Sequence, residues 1–167
     1  MKLKIAGIVN DSIVDGRGIR MTVFTQGCPH HCPGCHNPQT HDFEGGTWDD
    51  TDRIFKEFCE NPLLRGITFS GGEPFCQPVP LKALADRVHS VKKDVTIYSG
   101  WTYEQLRAMH DPDVDALLSV CDVLVDGPFI EAQKDLELLF RGSANQRLID
   151  MKKTRAAGKV TLLELDW

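Results

Sequence analysis

The chain has 167 residues, a net charge of −5 and 41% hydrophobic residues. That is the size and composition of one globular domain, able to bury about 70% of the surface its unfolded form exposes without disulfide staples. No basic block interrupts the acidic balance, so the electrostatic footprint of a nucleic-acid binder is missing. No apolar run approaches the length of about 20 residues that spans a bilayer, and the first ten residues carry no secretory pattern. The expectation is a single domain over residues 1–167, cytoplasmic, with no membrane and no nucleic acid among its partners.

In chain order, residues 20–26 read as a strand that runs into a cysteine-rich loop. Ile54, Phe55 and Phe58 recur at helical spacing behind Asp49, Asp50 and Asp52, which suit a helix start, so residues 49–58 are expected to be helical. Residues 66–70 form a short apolar strand ending at Gly71 and Gly72. Leu81, Leu84, Ala85 and Val88 mark one face of a helix over 81–91. A strand is expected at 95–98. A helix follows at 102–109, with Thr102 and Gln105 spaced as a capping box. Residues 121–126 read as another strand, 129–139 as a helix of alternating charge, and 141–147 as a loop entering a strand at 148–149. Residues 160–165 read as a terminal strand.

Strands alternating with helices imply a parallel sheet with crossover helices, and nearly continuous apolar strands imply that both faces are covered. The units are too few for an eight-stranded barrel of about 250 residues. The fold class expected is therefore α/β, a partial, open (β/α) barrel of five to six mostly parallel strands with outer helices. Ligand sites in such sheets gather beyond the carboxyl ends of the strands. The cysteine loop, Gly71-Gly72-Glu73-Pro74, Ser99-Gly100-Trp101 and Asp126-Gly127-Pro128 each follow a strand, so one edge would collect all four.

Six cysteines are present, and three of them, Cys28, Cys32 and Cys35, are spaced Cys-x3-Cys-x2-Cys. Three thiolates can hold three corners of a 4Fe-4S cubane and leave the fourth iron open to a small molecule, whereas four thiolates saturate it for electron transfer. The same three thiolates with His36 or His41 would also satisfy structural zinc, which takes four ligands, and His30 and His31 widen that choice. From residues 27–40 alone both metals stand. Cys59 and Cys121 read as small buried hydrophobes, while Cys76, just behind the glycine motif, is left open. Arg17 and Arg20 read as solvated arginines, with a ligand carboxylate or a partner as the alternative. Asp126-Gly127-Pro128 and Ser99-Gly100 read first as turns.

The cysteine spacing and Gly71-Gly72-Glu73-Pro74 resemble the two signatures of the radical S-adenosylmethionine (SAM) superfamily. The segments 15–20 (Asp-Gly-Arg-Gly-Ile-Arg), 34–37 (Gly-Cys-His-Asn), 98–102, 122–129 and 141–147 follow in an order similar to that of the activating enzymes of anaerobic (class III) ribonucleoside-triphosphate reductase. That resemblance covers nearly the whole chain and decides between the metals in favour of iron and sulfur. It implies a 4Fe-4S cluster on Cys28, Cys32 and Cys35, with SAM chelating the open iron. It also implies an electron donor such as a flavodoxin-type reductant, reductive cleavage of SAM to a 5′-deoxyadenosyl radical, and hydrogen abstraction from a backbone glycine of the large reductase subunit. Gly71, Gly72 and Glu73 are implied to contact the methionine moiety, Gly34 and His36 the adenine, Ser99 a ribose or carboxylate, and Asp126 SAM or a cation. His36 stands where this group usually has an aromatic residue, and Glu73 where it often has aspartate. Activation of a formate-lyase-type glycyl-radical enzyme shares every chemical step and differs only in the partner; a non-catalytic zinc module is the reading from another class.

Overall fold

A computed structural model describes residues 1–164. It holds one seven-stranded sheet, in the order β3-β1-β2-β4-β5-β6-β7. The strands are β1 (Lys2–Ser12), β2 (Arg20–Thr25), β3 (Thr47–Asp50), β4 (Gly66–Gly71), β5 (Asp94–Tyr98), β6 (Val123–Asp126) and β7 (Arg147–Asp150). Only β2, β4, β5 and β6 run parallel; β1, β3 and β7 are antiparallel to their neighbours. The five or six mostly parallel strands expected are thus seven, four of them parallel. The additional strands come chiefly from the N-terminus, where the alternation Lys2, Leu3, Lys4, Ile5 buries Leu3 and Ile5 on one face. β3 carries no such alternation, since Thr47-Trp48-Asp49-Asp50 is mostly exposed and is recruited as an edge strand.

The helices are α1 (Thr51–Cys59), α2 (Pro78–Ser90), α3 (Tyr103–Ala108), α4 (Pro112–Ser119) and α5 (Met151–Ala157). The capping box on α3 forms in full between Thr102 and Gln105. α4 starts on Asp111, whose carboxylate caps Asp113 and Val114, with Pro112 at the first turn where its missing N–H is harmless. The core joins Met21, Val23, Ile67, Phe69, Val95, Ile97 and Leu124 of the sheet to Ile54, Phe58, Leu81, Leu84, Val88 and Leu117 of the helices. Each of the larger side chains contributes about 1.5–3 kcal/mol by leaving water.

On β2, β4 and β5 the opposite face is polar, not apolar as expected, while β6 adds Val123 and Val125 to it. Thr22, Thr68 and Thr96 stand side by side in register and are buried under residues 13–19, with the Thr68 hydroxyl on the Asp15 carbonyl (2.7 Å) and the Thr22 hydroxyl on the Asp15 carboxylate (3.2 Å). Arg20, expected in solvent, is fully buried on this face. Its guanidinium pairs with Asp94 at 2.5 Å and donates to the Thr68 hydroxyl and the carbonyls of Ile67 and Arg17.

Residues 129–139 are not a helix. They hold one 3-10 turn, Glu131–Gln133, and then a hairpin-like loop bridged between Lys134 and Ser143. Their leucines stay outside the core, with Leu136 84% and Leu139 48% exposed. The segment is tied instead by hydrogen bonds, Ala144 N–H to the Gln133 carbonyl (2.9 Å) and Tyr98 hydroxyl to the Phe140 carbonyl (2.7 Å). The terminal strand expected at 160–165 is reduced to one bridge, Ile149 to Leu162, and Leu165 lies outside the described residues. Cys121 is buried as expected, but Cys59, at the end of α1, is exposed. Among the described residues no helix is long and apolar enough to cross a membrane.

Removing Asp94 would leave the Arg20 charge buried without its counter-ion. Asp94→Ala is expected to lower the unfolding free energy by about 3–5 kcal/mol, read as a shift in the denaturant midpoint; a loss below about 1 kcal/mol, the level of an exposed pair, would show the pair to be dispensable.

Candidate active site

The four special segments do meet at the carboxyl edge of β2, β4, β5 and β6. The cysteine loop leaves β2 through Gly27, whose φ of +106° only glycine adopts readily, and a Cβ there would stand 2.4 Å from the Phe43 ring. The loop closes on its own stem. The Gly27 N–H donates to the Thr40 carbonyl (2.7 Å) and the Cys28 N–H to the His41 carbonyl (3.1 Å). The Gln26 amide donates to the carbonyls of Gln39 and Asp42. Within it, the Cys35 N–H bonds the Cys32 carbonyl (3.1 Å) and the Asn37 N–H points at the Cys35 sulfur (3.5 Å). Cys28 is buried, and Cys32 and Cys35 are half-buried. Burial pushes the Cys28 thiol up, opposed by the backbone amides of His30 and His31.

Gly71 and Gly72 turn the chain after β4. Gly71 has φ +86°, and a Cβ there would lie 2.7 Å from the Phe24 Cα; one on Gly72 would lie 2.4 Å from the Gly27 carbonyl oxygen. These glycines therefore admit the chain's own backbone, the stem of the cysteine loop, in addition to whatever ligand approaches. Two hydrogen bonds hold that contact, from the Gly72 N–H to the Thr25 carbonyl and from the Glu73 N–H to the Gly27 carbonyl, both 2.8 Å.

Glu73 is fully buried. Its Oε1 accepts from the Gly100 N–H (2.8 Å) and lies 2.6 Å from the His30 Nε2, Oε2 accepts from the Phe75 N–H (3.1 Å), and the Ser99 hydroxyl donates to the pair, 2.9 Å from Oε1 and 3.0 Å from Oε2. The glycine turn, the loop after β5 and the cysteine loop thus converge on one carboxylate.

A cavity of about 560 Å³ opens on this edge, within the range that holds a cofactor-sized molecule. Cys28, Cys32, Cys35, His36, Gly71, Gly72 and Ser99 border it; Gly34, Glu73 and Asp126 do not. Gly34 supports the loop from behind with φ +74°, and a Cβ there would meet the Glu131 carboxyl group at 2.9 Å. Asp126 is buried, pairs with Arg147 and accepts from the Tyr103 N–H (2.7 Å), so it anchors α3 and β7. The His36 ring lies 5.1 Å from Phe129, a second ring on the cavity wall. His30 and Phe129 carry parts of the site that were not singled out for it in the sequence; nothing in the spacing distinguishes His30 from its neighbour His31. Among the described residues no three His, Cys, Asp or Glu side chains converge as a single bound ion requires. Three soft thiols along one cavity wall, with polar and apolar groups opposite, fit a cluster with an attached small molecule.

Residues 14–149 match the family described as a 4Fe-4S single cluster domain, so the class of protein is a single-cluster iron–sulfur domain. QueE from Escherichia coli, a solved structure, matches 61% of this chain and 54% of its own with a TM-score of 0.51 at 16% identity, a likeness of fold alone. The anaerobic ribonucleoside-triphosphate reductase-activating protein of Vibrio cholerae is 39% identical over 143 residues, 80% of this chain and 89% of that protein. The protein of the same name from Escherichia coli K12 is 37% identical, over 80% of this chain and 90% of its own. That of bacteriophage T4 is 30% identical, over 81% and 86%. The chain belongs to the family of anaerobic ribonucleoside-triphosphate reductase-activating proteins.

Gly72→Ala is expected to break both backbone bonds to the β2 stem. It should lower the unfolding free energy by about 1–3 kcal/mol, as overpacking does, and reduce iron retained after anaerobic reconstitution. Gly7→Ala, where a Cβ meets nothing within 4 Å, serves as the control, and equal midpoints for the two variants would contradict the packing assigned to Gly72.

Proposed function

We propose that this chain is a radical SAM activase that installs a glycyl radical on anaerobic ribonucleoside-triphosphate reductase. The observation that carries the reading is the meeting of three thiols and the Gly71–Gly72 turn on one cavity at the carboxyl edge of four parallel strands. Family membership names the partner. Cys28, Cys32 and Cys35 hold the 4Fe-4S cluster. Gly71, Gly72 and Ser99 present the wall for the methionine end of SAM, and Glu73 acts by holding that wall in place. His36, with Phe129 beside it, offers ring surface for the adenine, and Gly34 allows the loop to turn there. Asp126 sets the strand end and Gly127 without touching the ligand.

A 4Fe-4S cluster held by Cys28, Cys32 and Cys35, with SAM on its open iron, would supply one-electron reductive cleavage of SAM to methionine and the hydrogen-abstracting 5′-deoxyadenosyl group that ends as 5′-deoxyadenosine once a glycine Cα of the partner gives up its hydrogen atom. The chain's own contribution is orientation and exclusion of water. The rim of the cavity carries exposed Ile13, Val14 and Leu136, apolar lips suited to be covered by a partner's chain while the reaction proceeds. The seven strands form an open, partial barrel closed on its free side by that partner. Residues 1–167 act as one domain, in the cytoplasm, with a flavodoxin-type protein as reductant.

In the anaerobically reconstituted protein, Cys28→Ala, Cys32→Ala and Cys35→Ala should each abolish reductive SAM cleavage. The unaltered chain, mixed with reductase, SAM and a reductant, should give a glycyl-radical EPR doublet on the reductase. Retention of cleavage in any of the three variants, or a colourless protein binding one zinc per chain, would contradict the reading.

A further inference from the structure

His30 lies midway between Cys28 and Cys32, and its side chain is 15% exposed. The ring is clamped. Trp101 meets it edge to face with centroids 4.7 Å apart, and Gly100 backs it so closely that a Cβ there would be 2.4 Å from the ring. Its Nε2 lies 2.6 Å from Oε1 of the fully buried Glu73. A carboxylate only accepts, so across this contact the tautomer assigned to His30 carries its hydrogen on Nε2 and donates it to Oε1, which also receives the Gly100 N–H. That nitrogen is therefore spoken for and is not a metal ligand.

We propose that His30 is a positioning residue that latches the middle of the cysteine loop to the turn presenting the methionine end of SAM, and so sets the distance between cluster and SAM. Among the described residues, the other hydrogen bonds of residues 28–36 are local or reach back to the loop's stem: Cys35 N–H to the Cys32 carbonyl and Cys28 N–H to the His41 carbonyl, with the Asn37 N–H on the Cys35 sulfur; the loop's contacts with Trp101 and Phe129 are between rings. The stem itself meets the turn at Gly27, before the first thiol. Among the described residues, the His30–Glu73 bond is the side-chain hydrogen bond that joins residues 28–36 to the turn after β4. Glu73 does not border this cavity, yet through His30 of the cysteine loop and through Ser99 and Gly100 of the loop after β5 it reaches two of its walls. The inference rests on the reading of this cavity as a cluster and SAM site.

Two variants separate the hydrogen bond from the packing. His30→Phe keeps a ring against Trp101 and loses the donor; His30→Gln loses the ring and keeps an N–H near the same point. Each is reconstituted anaerobically and measured for iron content, for SAM Kd and for the change in the reduced cluster's EPR signal on adding SAM. Amide hydrogen exchange over residues 28–36 is followed in the cluster-free chain. His30→Phe should retain iron, weaken SAM binding by about tenfold or more, as loss of a hydrogen bond to a charged group does, lose the SAM-induced EPR change and exchange faster in the loop. His30→Gln should restore all of these to within about threefold, a residual under 1 kcal/mol. Wild-type SAM affinity, EPR response and exchange in His30→Phe would overturn the latch. A defect in His30→Gln equal to that in His30→Phe would assign the effect to the ring, and iron loss in both variants would assign it to ligation; either overturns the proposal. Failure of the unaltered protein to bind SAM or form a cluster would instead overturn the functional reading beneath it.

Discussion

A buried carboxylate with four hydrogen-bond donors around it organises this site. Glu73 gathers His30 from the cysteine loop, Ser99 and Gly100 from the loop after β5, and Phe75 from its own turn. An ionised group out of water is tolerated only when so surrounded, and removal of any one donor leaves the others aimed at an under-compensated charge. The constraint runs in both directions. The donors keep Glu73 buried, and Glu73 keeps three loops at fixed separation, which is what a pocket built from loops otherwise lacks.

A second polar node sits at the opposite edge of the same strands. Arg20 at the start of β2 and Asp94 at the start of β5 span β4 between them, and Thr22, Thr68 and Thr96 fill the space above. The sheet is therefore asymmetric in section. Its helix side is an apolar core, and its other side, over β2, β4 and β5, is a hydrogen-bonded layer beneath residues 13–19. Backbone contacts complete the arrangement, since Gly71 and Gly72 let the turn after β4 lie directly on the β2 stem. The cysteine loop and the glycine turn are thus neighbours through main-chain bonds.

Much of this was legible in the sequence, and for physical reasons. The four parallel strands announced themselves by short apolar runs, each ending in a special loop, and α3 by the Thr102–Gln105 box that the structure forms in full. The thiol spacing and the glycine turn pointed to the same edge. Less legible was anything decided by packing. Residues 129–139 have helical composition, but their leucines stay outside the core and Leu136 is in solvent. Arg20 looks like any surface arginine until Asp94, 74 positions away, is folded against it. Asp126 sits at a strand end as ligand residues do, yet Arg147 and the Tyr103 N–H take up its oxygens. His30 could not be told from His31 by spacing, because its role depends on Glu73, Gly100 and Trp101, all supplied by other loops.

In the proposed activase, three thiolates leave one iron of a 4Fe-4S cluster to SAM, at a wall held by Glu73. The most direct measurement is Mössbauer spectroscopy of protein reconstituted with iron-57, before and after SAM is added. One iron in four should change its isomer shift on SAM binding while the other three stay unchanged, as expected for a cluster with three protein ligands. Four irons that remain alike, with and without SAM, would overturn three-thiolate ligation with an open iron.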